Sequence, residues 1–181
     1  MGTGSTCRTD TGIGRGAYLD VNNPGGDLYD VTTSKVNDRQ TRSGTWEIVS
    51  ATGKTAGSEV VSGDVIHLRN LYGSAPDNGG FLDVNGSAPA GNLYDVSTAR
   101  KNDRQTGSGR WRVFAETSSP IDGKVRVGDT VRFLNGYSDW NGGFLDVNGG
   151  APGGNLYSVS TSRYSNRQTG SGTWRFAKST A

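Results

Sequence analysis

The stretch GGFLDVN at positions 142–148 decides the fold, because the chain contains it three times. It recurs unchanged at 79–85 and as GAYLDVN at 16–22, which places Asp20, Asp83 and Asp146 63 residues apart. A repeat of this kind is typical of proteins built from several copies of one supersecondary unit, none of which buries its apolar face alone. The sequence therefore predicts one domain over 1–181, with repeats at approximately 1–50, 64–115 and 129–178.

Each repeat divides into four short apolar pieces that are separated by turn-forming glycine, asparagine and serine. The third repeat carries them at 130–135, 144–148, 156–161 and 173–177, and the second repeat at 65–68, 81–85, 93–98 and 110–115. In the first repeat, residues 5–9 are a weak first piece in which Cys7 is expected to point inward. Four pieces in three copies predict an all-β chain of twelve strands, a barrel closed by a hairpin cap, as in a β-trefoil. A propeller is disfavoured, because three blades fall below the usual minimum of about four.

Composition and charge exclude several classes of partner. The 19 lysines and arginines nearly balance the 17 aspartates and glutamates, which leaves no basic footprint for nucleic acid. The sequence has no run of about 18 apolar residues, so it predicts no membrane-spanning helix. The first residues have no apolar signal-peptide core. Cys7 is the single cysteine, so no intrachain disulfide forms. We expect a cytoplasmic protein by default, with secretion by another route left open.

Three motifs in fixed order carry a family resemblance. They are Leu145-Asp146-Val147, the turn GNLY at 154–157, and GTWRF at 172–176. This order resembles the repeat of ricin-B-type β-trefoil lectins, and the resemblance extends through all three repeats. It implies a trefoil fold and a sugar-binding role for the aspartate of each repeat. Glycine replaces the family's Gln before the Trp, and a small hydroxyl residue replaces its stacking aromatic, so galactose specificity is not implied. The departing positions are Gly44, Gly109, Gly172, Thr32, Ser97 and Ser160.

The repeated stretch supplies the first group of candidate ligand-binding residues. Strand alternation predicts that Leu and Val point into the barrel and that Asp points out, between an aromatic residue and an asparagine. A carboxylate, an amide and an aromatic face together suit a sugar, whose hydroxyls and C–H face they match. The competing interpretation is that each Asp holds the adjacent glycine loop through backbone N–H groups. The candidates on this face are Asp20, Asn22, Phe81, Asp83, Asn85, Phe144, Asp146 and Asn148.

The third strand of each repeat adds Asp30 and Asp95 as ligand-binding candidates, with Ser158 at the matching position. These residues are expected to face outward and to meet the first aspartates across the hairpin. Paired carboxylates also occur in calcium sites and in glycosidases, but a repeated acidic pair on a scaffold is more often binding or structural. The sequence therefore predicts no metal, no cofactor and no catalytic residue.

The other residues that recur with the repeat are expected to be structural, whereas Trp140, which does not recur, is expected to bind a ligand or a partner. Arg39, Arg104 and Arg167 are expected to pin the loop before the last strand to a neighbouring repeat, and Trp46, Trp111 and Trp174 to support the fold. His67 matches Arg132 of the third repeat and is expected at the surface. Trp140 occurs once, in a loop, where an indole is a platform for a sugar ring or a contact for a protein.

These observations favour a non-enzymatic lectin with up to three symmetry-related glycan sites. Its partners would be glycans or glycoconjugates, and self-association is left open. The alternative is a trefoil protein-binding module, such as a protease inhibitor or a toxin's targeting domain. That alternative would use the bridges at 52–63 and 116–127 and the Trp140 loop. The sequence does not indicate which sugar is bound.

Overall fold

The structure, a computed structural model, describes residues 5–9, 17–73, 79–89, 91–153 and 155–178, and of 5–9 only the backbone. Its strands form one continuous 12-stranded sheet, which confirms an all-β chain. The strands are β1 (Ser5–Thr9), β2 (Ala17–Gly25), β3 (Leu28–Ser34), β4 (Thr45–Ser50), β5 (Val65–Asn70), β6 (Gly80–Ser87), β7 (Tyr94–Ala99), β8 (Trp111–Ala115), β9 (Thr130–Asn135), β10 (Phe144–Gly150), β11 (Tyr157–Ser162) and β12 (Trp174–Lys178). A helical turn, α1 (Tyr137–Trp140), joins β9 to β10. The structure does not describe the side chain of Cys7, so the inward orientation predicted for it stays a prediction.

Half of the strands close a barrel. β1 pairs with β4, β4 with β5, β5 with β8, β8 with β9, β9 with β12, and β12 with β1, all antiparallel. Alternation along β9 shows how the barrel fills, because Val131 and Phe133 are buried while Arg132 and Leu134 are partly exposed. The closed ring leaves no barrel strand with an unpaired edge.

The other strands form three hairpins that cap the barrel. They are β2–β3, β6–β7 and β10–β11, and each has one register shift after the repeated stretch. The second strands of the hairpins also pair with one another, so that β3, β7 and β11 close a triangle. Residues from distant parts of the chain therefore meet at the centre of the cap.

Three tryptophans lie in the core and tie the barrel to the cap. Trp46, Trp111 and Trp174 are at most 1% exposed. Each indole N–H donates a 2.9 Å hydrogen bond to the carbonyl of the leucine in the repeated stretch. The predicted structural role of these tryptophans is confirmed, since a buried indole needs such a partner and here finds it in the backbone.

The two glycines that open the repeated stretch are required by close packing. Gly142 lies against the buried Asn135, whose amide oxygen would be 2.3 Å from a Cβ at that position. Asn135 in turn donates a 2.8 Å hydrogen bond to the carbonyl of Ser108. Gly143 follows with φ +88°, a conformation that glycine adopts without strain. Gly79 lies against Asn70 in the same way, and Gly80 follows with φ +81°.

Candidate functional site

The aspartates of the repeated stretch, predicted to face solvent, are buried with 0% of the side chain exposed. In the second repeat, Asp83 Oδ1 accepts hydrogen bonds from Arg104 Nη2 at 2.9 Å and Nε at 3.2 Å. Its Oδ2 accepts a 2.6 Å bond from the hydroxyl of Ser108. We call this arrangement the Asp–Arg–Ser cluster. It occurs three times, as Asp20/Arg39/Ser43, Asp83/Arg104/Ser108 and Asp146/Arg167/Ser171.

The solvent exposure expected for Asp20, Asp83 and Asp146 is therefore wrong, and the reason is the loop before the last strand. Strand alternation does turn each carboxylate away from the barrel core, but this loop folds over that face. In the second repeat, Arg104 also donates to the carbonyl of Val84 at 3.0 Å. The arginines pin this loop as predicted, but they pin it to their own repeat and not to a neighbouring one.

The electrostatics of the Asp–Arg–Ser cluster are those of a structural support. Burial raises the pKa of Asp20, Asp83 and Asp146, while the serine hydroxyl and the arginine charge act in the opposite direction. Both oxygens of each carboxylate are engaged by protein groups, so neither is presented to a sugar hydroxyl at the surface. Backbone N–H groups of Arg39 and Arg167 also bond to the carboxylates of Asp20 and Asp146, but they belong to the loop before the last strand and not to the glycine loop of the competing interpretation.

The remaining candidates of the repeated stretch are half-buried. Asn22 and Asn85 each accept a hydrogen bond from the arginine of their repeat, at 3.2 and 3.4 Å between Nη2 and Oδ1. Phe81 contacts the ring of His67 edge-on, with 6.2 Å between centroids. Phe144 and Asn148 occupy the corresponding places in the third repeat.

The prediction that His67 lies at the surface is wrong. The side chain is 5% exposed, and its Nδ1 lies 2.7 Å from the carbonyl oxygen of Gly109. Gly109 belongs to the loop that also carries Ser108, so the same covering loop buries both the histidine and the Asp83 carboxylate. Nothing in the strand pattern of residues 65–70 signals this cover.

Asp30 and Asp95 lie at the centre of the cap and do not pair with the first aspartates, which corrects that prediction. The register places Asp83 opposite Ser97, and Asp95 opposite Asn85. Asp30 and Asp95 instead line a cavity of about 240 Å³ where β3, β7 and β11 meet. Burial raises the pKa of both carboxyls, and the charge of Asp30 raises that of Asp95 further.

Trp140 lies on the turn α1, which is left-handed. Ser138, Asp139 and Trp140 have φ of 52°, 56° and 67°. Such a conformation costs about 1–2 kcal/mol per residue for side chains other than glycine. Consecutive residues of this kind persist only where the surroundings determine them, and they concentrate at functional sites. The sequence signalled Trp140 by its isolation, but it gave no sign of the unusual backbone.

Several contacts hold the Trp140 turn in place. The Trp140 N–H donates to the carbonyl of Gly136 at 3.2 Å, and the Asn141 side chain donates to the carbonyl of Ser138 at 2.8 Å. The guanidinium carbon of Arg112 lies 3.9 Å from the centroid of the Trp140 ring, a cation–π contact. The indole stays partly exposed, and Asp139 beside it is exposed. A partly exposed ring, a carboxylate and an amide are thus presented on a fixed backbone.

Within the described residues, no histidine, cysteine, aspartate and glutamate side chains gather in a group of three or more that could hold a metal ion. The same part of the chain contains no helix of the length and apolar character needed to cross a membrane.

Comparison with known proteins identifies the fold only. No protein-family model matches the chain, and no curated protein matches it in sequence. Among solved structures it is similar to the SDF2-like protein from Arabidopsis thaliana, with a TM-score of 0.72 and 18% identity over 97% of this chain and 92% of that one. It is also similar to the designed threefold-symmetric protein ThreeFoil, with a TM-score of 0.57 and 18% identity over 97% and 98% of the two chains.

A third similar structure is the binding domain of botulinum neurotoxin serotype D, with a TM-score of 0.67 and 19% identity. The match covers 98% of this chain and 42% of the toxin fragment. At identities this low the likeness extends to the fold alone. The chain therefore has a β-trefoil-like fold, and it shares this fold with a domain named for binding.

Proposed function

We propose that this protein is a non-enzymatic lectin, a β-trefoil of three repeats whose principal glycan site is the Trp140 turn. The observation that carries the proposal is the partly exposed indole on a left-handed turn, beside the exposed carboxylate of Asp139. The ring suits the apolar C–H face of a sugar, and the carboxylate accepts hydrogen bonds from its hydroxyls.

The proposal reduces three expected sites to one principal site. The recurrence of Asp20, Asp83 and Asp146 favoured a threefold set of sugar sites, but the Asp–Arg–Ser cluster gives these residues a structural reason to recur. The Trp140 indole packs on Arg112 but stays partly exposed, which leaves part of the ring available to a ligand. The turn is also preorganised, and a preorganised site loses less conformational entropy when it binds a ligand.

Support for a binding role also comes from a solved structure with this fold. The toxin domain is named as a binding domain, and its fold resembles that of this chain. A rigid trefoil that presents loops on one surface suits recognition of a ligand without chemistry, because loops on a stable scaffold hold polar groups at fixed positions. The sugar itself is left to experiment.

A glycan-array screen of the purified protein tests the proposal, with Trp140→Ala and Tyr164→Ala variants alongside. Tyr164 is a matched control, because it is an aromatic residue in the same repeat that is 70% exposed. We expect a defined glycan signal that falls about tenfold in Trp140→Ala, since the lost aromatic contact contributes about 0.5–1.5 kcal/mol in addition to the apolar area that it buries, and about 1.4 kcal/mol is a factor of ten. The Tyr164→Ala signal should be unchanged. An equal signal from all three proteins would place the site elsewhere and overturn the proposal for the turn.

A protein-contact module is the second candidate, and a different surface favours it. The two bridges between repeats meet at a β-bridge of Val61 with Lys124, and Lys124 Nζ lies 2.8 Å from Glu59 Oε1. Ile121, at 98% exposure, projects from this surface. A blank array, together with concentration-dependent sedimentation that Ile121→Asp abolishes, would favour this function over the lectin.

A further inference from the structure

The centre of the cap holds a cluster of oxygen-bearing side chains that the Trp140 site does not use. It forms where β3, β7 and β11 pair in a triangle, each pairing joining a residue of one repeat to a residue of the next. The pairs are Asp30 with Ser97, Asp95 with Ser160, and Ser158 with Thr32. We call these six residues the axial cluster.

Three hydroxyls of the axial cluster are buried without a hydrogen bond. Thr32, Ser97 and Ser160 are 4%, 1% and 2% exposed. None of their hydroxyl oxygens bonds to a protein group in the described part of the chain. Buried hydroxyls in folded proteins are nearly always partnered. Of the three, Thr32 also lines the cavity at the centre of the cap, where a ligand would supply the partner that its hydroxyl lacks.

Two carboxylates accompany these hydroxyls, and the described part of the chain places no cation in an ion pair with them. Asp30 and Asp95 take part in no ion pair that the structure records among its described residues, and the described lining of the cavity includes no lysine or arginine. The glycine at position 25 leaves room for the Asp30 carboxylate, because a Cβ there would lie 1.6 Å from its Oδ1. Two carboxylates thus face one cavity. The negative charge of Asp30 raises the pKa of Asp95, because it disfavours the ionised form of that carboxyl.

We propose that the axial cluster binds one partly hydrated divalent cation of the Ca²⁺ type. The donors are oxygen atoms only, two from different carboxylates and the others from hydroxyls. Ca²⁺ takes 6–8 oxygen ligands in flexible geometry, whereas zinc prefers nitrogen and sulfur. The cavity of about 240 Å³ has room for an ion with several of its waters. The third repeat contributes Ser158 in place of a third aspartate, so the net charge of the cluster matches one divalent ion.

Calcium titration of the EDTA-treated, dialysed protein tests this proposal. The wild type, an Asp30→Asn/Asp95→Asn variant and an Asp27→Asn/Asp122→Asn variant are compared, the last having the same change in net charge on exposed residues. We expect calorimetry to show one ion bound per chain, and millimolar CaCl₂ to raise the Tm of the wild type by about 3 °C or more. The control variant should respond like the wild type, and the axial variant should not respond.

Each other outcome decides against the proposal. An unchanged wild-type Tm, with no heat of binding, would leave the axial cluster as a pocket for water alone. An equal rise in all three proteins would mean that calcium acts on the surface. Circular dichroism at neutral pH checks that the axial variant is folded, and Thr32→Val supplies a milder change at a residue that lines the cavity. We expect Thr32→Val to keep both carboxylates and to bind calcium more weakly than the wild type.

Discussion

On the first two hairpins, the Asp–Arg–Ser clusters and the axial cluster place aspartates in opposite electrostatic settings. Asp83 is 0% exposed and is neutralised by Arg104, while a serine hydroxyl occupies its second oxygen. Asp95, on the neighbouring strand, has no basic partner among the described residues and faces the carboxylate of Asp30. The first setting fastens a loop, and the second leaves charge and hydroxyls directed at a cavity.

This difference shows that recurrence of a residue does not reveal its role. The sealed aspartates recur in all three repeats and the axial ones in two, with Ser158 in the third, and the sequence pattern of the strands treats both kinds alike. What separates them is the origin of the residues that surround them. The partners of Asp83 come from a loop about twenty residues further along the chain, whereas those of Asp95 come from other repeats.

The largest effect is expected when an Asp–Arg–Ser cluster loses its arginine. Arg104→Ala should lower the free energy of unfolding by about 3–5 kcal/mol, because it leaves the buried Asp83 carboxylate without its charge partner. Urea denaturation measures this change, with Arg100→Ala as an exposed control in the same loop. Adding Asp83→Asn to Arg104→Ala should recover part of the loss. A loss below about 1 kcal/mol would mean that the ion pair does not support the loop.

A smaller effect is expected from the serine of the same cluster. Ser108→Ala removes the hydroxyl that donates to Asp83 Oδ2 and accepts from the backbone N–H of Gln105. The free energy of unfolding should fall by about 1–3 kcal/mol, the usual cost of leaving buried polar groups unpaired. The exposed Ser87→Ala serves as the control. Equal stability of the two variants would contradict the role given to Ser108.

In the axial cluster, removing the charged groups should not lower the stability of the metal-free protein, in contrast to the loss expected for the Asp–Arg–Ser cluster. Burial raises the pKa of Asp30 and Asp95 above 3.8, so their contribution to stability is fully present below that value and is lost as pH rises through the raised folded pKa. In EDTA, Asp30→Asn/Asp95→Asn should therefore be at least as stable as the wild type at neutral pH. The wild type should gain on the variant as pH falls towards about 4.

Thermal denaturation of both proteins in EDTA, at steps between about pH 7 and pH 4, gives the comparison. The two proteins have all other carboxyls in common, so the contribution of those carboxyls to the pH dependence cancels when the Tm values are subtracted. A variant that is less stable than the wild type at neutral pH, with the gap closing in acid, would show that the ionised carboxylates stabilise the cap. In that case ionised aspartates would stabilise the fold in both kinds of cluster, and the contrast drawn between them would be wrong.

Several features could be predicted from local sequence because they depend on local chemistry. Alternation over 130–135 and turn residues on either side were enough to place a strand, and β9 is found at Thr130–Asn135. Trp46, Trp111 and Trp174 were assigned to the structure because they recur at the start of apolar strands. The prediction for His67 failed, because a loop near residue 109 covers a strand face that local alternation marks as outward.

The sequence by itself determined the all-β fold, because a repeated stretch flanked by apolar strands and turn residues needs only neighbours along the chain to be recognised. The tertiary structure alone decided which aspartates are sealed and which face a cavity. Alternation tells which side of a strand a residue occupies, but not what covers that side. For Asp83 the cover is a loop of its own repeat, and for Asp30 and Asp95 it is strands from the other repeats. Charge compensation and burial are therefore fixed only when the chain has folded around them.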